Sequence, residues 1–455
     1  MKKIFSLILV SLISLTFFAC TPTVVREDDE DEPAFDVLDI IIRDGYSGND
    51  FVKNKVGDYE HTDKLYELID NLEETYGCSI TFEVGDLDKL TSAFAVWEHY
   101  ADLMTLRISH LYTAYASNFI VPLNQLSTLD LYNGKYGPQS LLDGLTWKDE
   151  TVAFWPSYWG LPMPMFQDAL MYNPRLVKEF GLQDPQELYE KDLWTWDTYK
   201  AMAKTVADSV NYDSAEEYPI WFSCLDHYTV RMALYGNGAR PIEEDENGKY
   251  YLNITSAESR QAINWVNELA KIESFMPYLS HSATNEAFYS GRMVFFPEYS
   301  VTGLKHSGGK IGINMQEEWR YCYNPRGYSA TKEDIEASYF SLESRFMFMT
   351  ELTEDAELLG SFMDILFQPV YDTETGWEYG FYMANFHDDF SAEYYKTKWS
   401  NIRNDNFVFA NDFATDLEVI ARGLHRGTTT FDVWYPTNSS KIQQQIDDRI
   451  NDLKK

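Results

Sequence analysis

Apolar and polar positions along this chain alternate with two periods, and the switch between them predicts strands and helices in turn. Asp36 to Ile42 (DVLDIII) is a short β-branched run stopped by Asp44 and Gly45, the pattern of a buried strand. From His61 to Tyr76 the apolar residues Leu65, Leu68, Ile69, Leu72 and Tyr76 recur at three and four, which lines one helical face, and Gly77 ends the pattern. Ile80, Phe82 and Val84 alternate with polar neighbours as a second strand. A helical stretch from Leu87 to about Tyr100 and a third apolar run, Ala101 to Leu106, follow. The order is β-α-β-α-β. At this spacing it predicts a parallel sheet covered on both faces, with a ligand crevice at the carboxyl ends of its strands.

Those ends carry the first candidate contacts. The loop after the first strand holds Tyr46 and Asn49, and the third strand runs into Arg107 and Ser109. A guanidinium in a cleft donates several hydrogen bonds at once, while the competing reading of Arg107 is a salt bridge to one of 72 acidic residues. Further on, Trp194 to Ser209 predicts a helix capped by Thr195 or Asp197, and Thr255 or Ser256 opens another that runs to about Ile272. A second strand-bearing lobe is expected from about residue 161.

The first residues change the picture of location. Lys2 and Lys3 precede an uncharged apolar stretch from Ile4 to Ala19, the charge order and length of a secretory signal (1–19), too short to span a membrane comfortably. Cys20 follows directly, where bacterial processing would attach lipid and leave a tether; the alternative is an ordinary signal with an incidental cysteine. The segment 20–35, with its acidic run Glu27 to Glu32, cannot bury apolar surface and reads as a solvated spacer. The expected setting is a membrane-anchored lipoprotein facing the periplasm or cell exterior, touching the membrane through its lipid only.

Charge and cysteine usage remove whole classes of function. A net charge of −35 disfavours nucleic acid, whose phosphates need Lys and Arg patches, and disfavours a strongly anionic solute. Cys78, Cys224 and Cys322 lack CxxC spacing and the eight His are scattered, so neither a metal site nor a cofactor is expected, and buried free thiols are favoured over a bridge. No GxSxG, HExxH, GxGxxG or phosphate-loop pattern occurs. A glycoside hydrolase needs only two carboxylates brought together by the fold, so it stays as the alternative to a binding protein, beside a glycan-binding or sensor lipoprotein without a transporter.

Several segments, read in order, resemble the family 1 extracellular solute-binding proteins of ABC importers. Tyr158 to Leu182 (YWGLPMPMFQDALMYNPRLVKEFGL) resembles the family's crossing between lobes, and Trp194 to Ala203 its Thr-Trp-Asp-Glu-Phe helix. Asn285 to Tyr299 (NEAFYSGRMVFFPEY) is similar to its Gly-Lys, strand and aromatic-loop signature. Here Arg292 stands for the common Lys, and Pro297, Glu298 and Tyr299 for Gly-Pro-Trp. The resemblance implies an α/β, two-lobe, type II periplasmic-binding fold and a monomer that closes over a small solute and passes it to a membrane permease. Lobe 1 would comprise 36–160 and about 318–372, and lobe 2 would comprise 161–317 and about 373–455.

Aromatic residues form 16% of the chain, 12 Trp, 32 Tyr and 28 Phe, and rings that keep a polar edge suit sugar faces. A carbohydrate is therefore the leading ligand class, against the competing reading that most rings are core. The candidates in loops at strand ends or crossings are Trp155, Tyr158, Trp159, Trp221, Tyr235 and Tyr299, with Glu298 among the polar groups; Gln167 and Asp168 face the cleft or cap a turn. Trp196, at a helical position, reads as core.

Overall fold

The computed structural model describes residues 38–45, 60–156, 159, 166, 168–212, 219–277, 280–298, 311, 314–340, 344–370, 386–403 and 419–448 except 421 and 425. Cys20, Tyr46, Asn49, Tyr158, Gln167 and Tyr299 lie outside the described residues. The chain folds as two α/β lobes.

Strand β1 (Asp39–Asp44) pairs in parallel with β2 (Ser79–Val84) and β3 (Leu103–Arg107). Helix α1 (Glu60–Tyr76) buries Leu65, Ile69 and Leu72 between the first two strands, and Gly77 ends it at φ 67°. Helix α2 (Leu87–Val96) follows β2, with Asp86 accepting the Lys89 amide at its start. The third strand begins at Leu103, two residues later than its apolar run, because the Asp102 carboxylate takes the Ile41 amide (2.8 Å) in place of a ladder carbonyl. Helix α3 (Ile108–Ala116) leaves the end of β3, and α4 (Gln139–Gly144) precedes the first crossing.

Lobe 2 is built on β4 (Ala169–Tyr172), buried along its length. Helix α5 (Trp196–Ser209), capped by Thr195, leads to β5 (Ser223–Leu225) and α6 (His227–Gly236). Helix α7 (Ala257–Leu269), β6 (Phe275–Pro277), α8 (His281–Tyr289), β7 (Phe295–Glu298) and β8 (Arg320–Cys322) complete it. Strands β7 and β8 flank β4 antiparallel; β5 and β6 are parallel and join β7 through a Trp221–Met293 bridge. Since β8 belongs to this sheet, the chain returns to lobe 1 after residue 322, later than the 318 expected from sequence. The apolar periodicity there does not say which sheet a strand enters.

The return strand β9 (Arg345–Met349) adds antiparallel to β3 and carries the chain into α9 (Ala356–Leu366). Sequence spacing predicted only parallel pairing for this sheet, because a chain-distant return strand leaves no local mark. The two crossings touch through an antiparallel Phe166–Phe340 bridge. Helix α10 (Asp389–Ser400) lies against both lobes: Tyr394 stacks on Tyr321 of β8 (5.2 Å, 14°), while Trp399 meets Trp155 edge-on at 5.1 Å. Helix α11 (Phe431–Ile446) packs beside the Tyr250–Leu252 strand of lobe 2. Cys78, Cys224 and Cys322 are buried free thiols.

Much of the aromatic content is consumed in these cores. Trp196 stacks on Trp265 (4.6 Å, 8°), Trp194 on Phe295, and Tyr199 touches Phe222, Phe275 and Phe295. Rings of this size each bury on the order of 150–250 Å², which makes them the main apolar filling of lobe 2.

Candidate functional site

The crossings define which edges of the two sheets face each other. Strand β4 begins three residues after Phe166 and β9 begins five after Phe340, so the ends nearest the joint are Asp44, Arg107 and Arg345 in lobe 1 and Ala169, Leu225 and Glu298 in lobe 2. A crevice at these ends is where strand termini leave backbone and side-chain polar groups uncovered.

In lobe 1, Arg107 and Arg345 are directly opposite each other on adjacent antiparallel strands, and both are half-buried. Buried Asp44 accepts the Thr105 hydroxyl (2.7 Å) on the same face. Gly45 follows, its amide bonded to Thr105 O, and a Cβ there would come within 2.4 Å of that carbonyl, so only glycine lets the chain turn across β3 toward Tyr46. Ser109 sits half-buried in the first turn of α3, whose Ile108 amide is tied to Ser344 O (2.8 Å).

In lobe 2, Glu298 is buried at the end of β7, opposite Ala169. Asp226 follows β5 and caps α6, accepting the Tyr228 and Thr229 amides at 3.0 and 3.2 Å. Burial pushes its carboxyl up to about 6 against the pull of those amides, and the neighbouring Cys224 thiol is raised by burial and then by the charges of Asp226 and Glu298. His227 lies against the Tyr228 ring at 3.9 Å, at the start of α6.

Asp168 lies in the joint itself, as one arm of a wholly buried ion pair with Lys398 of α10 (2.7 Å). The same ammonium donates to Ile335 O and Ala337 O on the second crossing. Desolvation pushes the Asp168 carboxyl up and the Lys398 ammonium down, while their mutual attraction opposes both shifts.

The aromatic candidates fall elsewhere. Trp159 is 1% exposed, donates its indole NH to Leu366 O (3.0 Å) and packs on Phe367 and Phe82. Trp155 is 4% exposed and packs on Trp399, so neither indole offers an open ring face. Tyr235 stacks on Tyr339 of the second crossing (4.1 Å) and is also buried. Trp221 precedes β5 in register with Met293, five residues or about 16 Å from Glu298, at the opposite edge of the sheet. The residues after β5, Asp226 and His227, occupy the edge that Trp221 had been expected to reach. A strand followed by a capping Asp was the readable signal for them; Arg345 had none, since its register is set by chain-distant pairing.

Residues 67–332, more than half of the chain, match the family described as bacterial extracellular solute-binding protein. The chain belongs to this family. No curated protein matches it significantly in sequence. Among solved structures, this extracellular solute-binding protein is similar to the cyclic α-maltosyl-1,6-maltose binding protein of Arthrobacter globiformis. The likeness has a TM-score of 0.62 at 14% identity and covers 90% of this chain and 99% of that one. It is also similar to the galacto-N-biose/lacto-N-biose I-binding protein of the Bifidobacterium longum ABC transporter (0.59, 14%, 93% and 99%) and to the GacH receptor of Streptomyces glaucescens (0.57, 13%, 91% and 99%). At such identities the likeness establishes a common fold. Among the described residues no helix is long and apolar enough to cross a membrane.

Proposed function

We propose that this solute-binding protein captures a carbohydrate between its lobes and delivers it to an ABC permease, acting as a receptor and not as an enzyme. The observation that carries the reading is the antiparallel Phe166–Phe340 bridge, which brings the two chain crossings together beside the starts of β4 and β9, in a chain of this family. A solute touching both edges favours the closed arrangement by contacts that the open one lacks, which is hinge motion driven by differential binding. Arg107, Ser109 and Glu298 are the contacts proposed on the edges, with Tyr46, Asn49, Tyr158 and Tyr299 on the loops beside them.

The structural neighbours include a binding protein for cyclic α-maltosyl-1,6-maltose, one known in complex with lacto-N-biose and one known in complex with acarbose, and these support the ligand class. We place the anchor at Cys20, with residues 20–35 as spacer and the body as a monomer. The hydrolase alternative gains nothing from Asp226: its Oδ1 accepts both amides at the start of α6 and its Oδ2 accepts from the Cys224 thiol, so it is a buried helix cap and not an exposed acid. A thermal-shift screen of the purified body against mono- and oligosaccharides, polyols and amino-acid derivatives tests the proposal, since a ligand held at 100 times its Kd stabilises by about 2.7 kcal/mol. A panel in which no saccharide raises the melting temperature while another class does would overturn it.

A further inference from the structure

We propose that the end of lobe 1 opposite the crevice rests on a lipid surface, with Val96 and Trp97 at the contact. The inference rests on the anchor placed at Cys20 and goes beyond it, since the sequence led us to expect contact through the lipid only. Among the described residues, Trp97 and Val96 are the two most exposed large apolar side chains, at 75% and 68%. They are also consecutive, at the carboxyl end of α2. Exposed apolar residues scattered singly are ordinary on a protein surface, but here the two largest exposures stand side by side.

Neither the backbone nor the core calls for a tryptophan at this position. Trp97 caps α2 in the left-handed region (φ 53°, ψ 41°), its amide bonded to Ala93 O and Phe94 O. Glycine or asparagine fits such a cap without the crowding that a bulky side chain brings. Helix α1, which ends at the same pole of the lobe, does so on Gly77. The indole meets buried Phe94 edge-on at 6.1 Å, and Phe94 stacks in turn on half-buried Phe119 (4.0 Å, 12°). The ring is thus propped outward on an aromatic base, with most of its surface uncovered.

The place of these side chains selects the occupant. Helix α2 starts just after the crevice end of β2 and runs back, so Trp97 lies with the amino ends of the parallel strands, Asp39, Ser79 and Leu103. Phe119 is at the same pole, where its carbonyl accepts the Glu351 amide just beyond β9. The chain enters β1 here, at Asp39, and the roughly 19 residues back to Cys20 reach at most about 65 Å. The tether is therefore rooted at the pole that carries Val96 and Trp97, and tethering turns even a weak surface contact into an intramolecular one. Tryptophan, apolar in body with one polar N–H, suits the boundary between headgroups and acyl chains. The stretches 96–101, 117–121 and 350–355 at this pole contain no Lys or Arg, and Glu98 and Glu351 are exposed there. The contact is thus made by insertion among neutral or zwitterionic headgroups and not by attraction to anionic lipid. Resting on this pole turns the carboxyl ends of β1 to β3, and the crevice with them, away from the membrane and toward incoming solute.

The test places the lipidated chain on phosphatidylcholine vesicles with or without bromine on the acyl chains and reads tryptophan fluorescence, which bromine quenches only where an indole enters the bilayer boundary. Wild type is expected to lose a share of its emission, on the scale of one ring among the chain's 12 Trp. Trp97→Phe removes that loss. Val96→Glu, which keeps the indole but sets a charge beside it, reduces the loss severalfold, and phosphatidylglycerol in the vesicles does not deepen it. Both positions are exposed, so circular dichroism and the thermal response to solute, a property of the crevice, stay as in wild type. No quenching in wild type, or quenching that Trp97→Phe leaves intact, would overturn the inference while the anchor stands. Absent quenching together with weaker permease association of Trp97→Phe would assign the side chain to a protein contact, which overturns it as well. Mass spectrometry that finds no acyl group on Cys20 would remove the anchor itself, and the inference with it.

Discussion

Lobe 1 ends its strands beside the joint in guanidinium groups, Arg107 and Arg345, whereas lobe 2 brings carboxylates there, Asp168, Asp226 and Glu298. The arginines are half-buried. The carboxylates are buried, and two have identified structural work: Asp168 holds Lys398, and Asp226 caps α6. The difference teaches that polar residues at a crevice are not equivalent. Lobe 1 leaves its guanidinium groups half-buried, while lobe 2 uses Asp168 to fix the joint and Asp226 to cap the helix that begins there.

The comparison breaks most visibly at the joint. Lys398→Met strands a buried carboxylate and is expected to cost about 3–5 kcal/mol in denaturant unfolding; adding Asp168→Leu should recover most of it, because an apolar pair replaces an ion pair with little net loss. A single variant no less stable than wild type would contradict the buried geometry. Trp159→Ala removes a ring 1% exposed and should cost about 3 kcal/mol or more, with the loss read as a lower denaturation midpoint. If it instead weakened solute binding at unchanged stability, the ring would belong to the crevice and not the core.

Asp226 offers a pH test of lobe 2. Its carboxyl is raised in the folded state to about 6 from 3.8, so the native state holds the proton more tightly than the unfolded chain does. The stabilisation is complete below the unfolded value and is lost as pH rises through about 6. Between pH 4 and 7 that is about 2 kcal/mol. Asp226→Asn, which can still cap the helix, should flatten this part of the stability profile, and an unchanged slope would refute the assignment. The smallest effect is expected at a helix cap: Thr331→Ala breaks the capping box in which Thr331 and Asp334 exchange side-chain and backbone bonds, for about 1 kcal/mol in thermal melts.

Legibility followed the range of the interactions. The strands and helices of the first hundred residues were readable because each shows its buried face locally: Leu65, Ile69 and Leu72 at helical spacing, and the β-branched run at Ile40 to Ile42. The ends drifted by up to about four residues, as where the helix expected to reach Tyr100 stops at Val96, and a side chain such as Asp102 shifted the start of β3. Trp155, Trp159 and Tyr235 were placed at the crevice for a different reason. A ring in an apparent loop, such as Trp155 or Trp159, carries no local sign of the Trp399 or Phe367 that will cover it.

By itself the sequence determined the α/β alternation, the acidic balance and the family to which the chain belongs, since each is written in neighbouring residues or in their order. Tertiary structure alone decided that β9 returns beside β3, that Asp168 meets Lys398 230 residues away, and that Arg107 faces Arg345. Such pairings depend on the packing of both lobes at once. No local period encodes them.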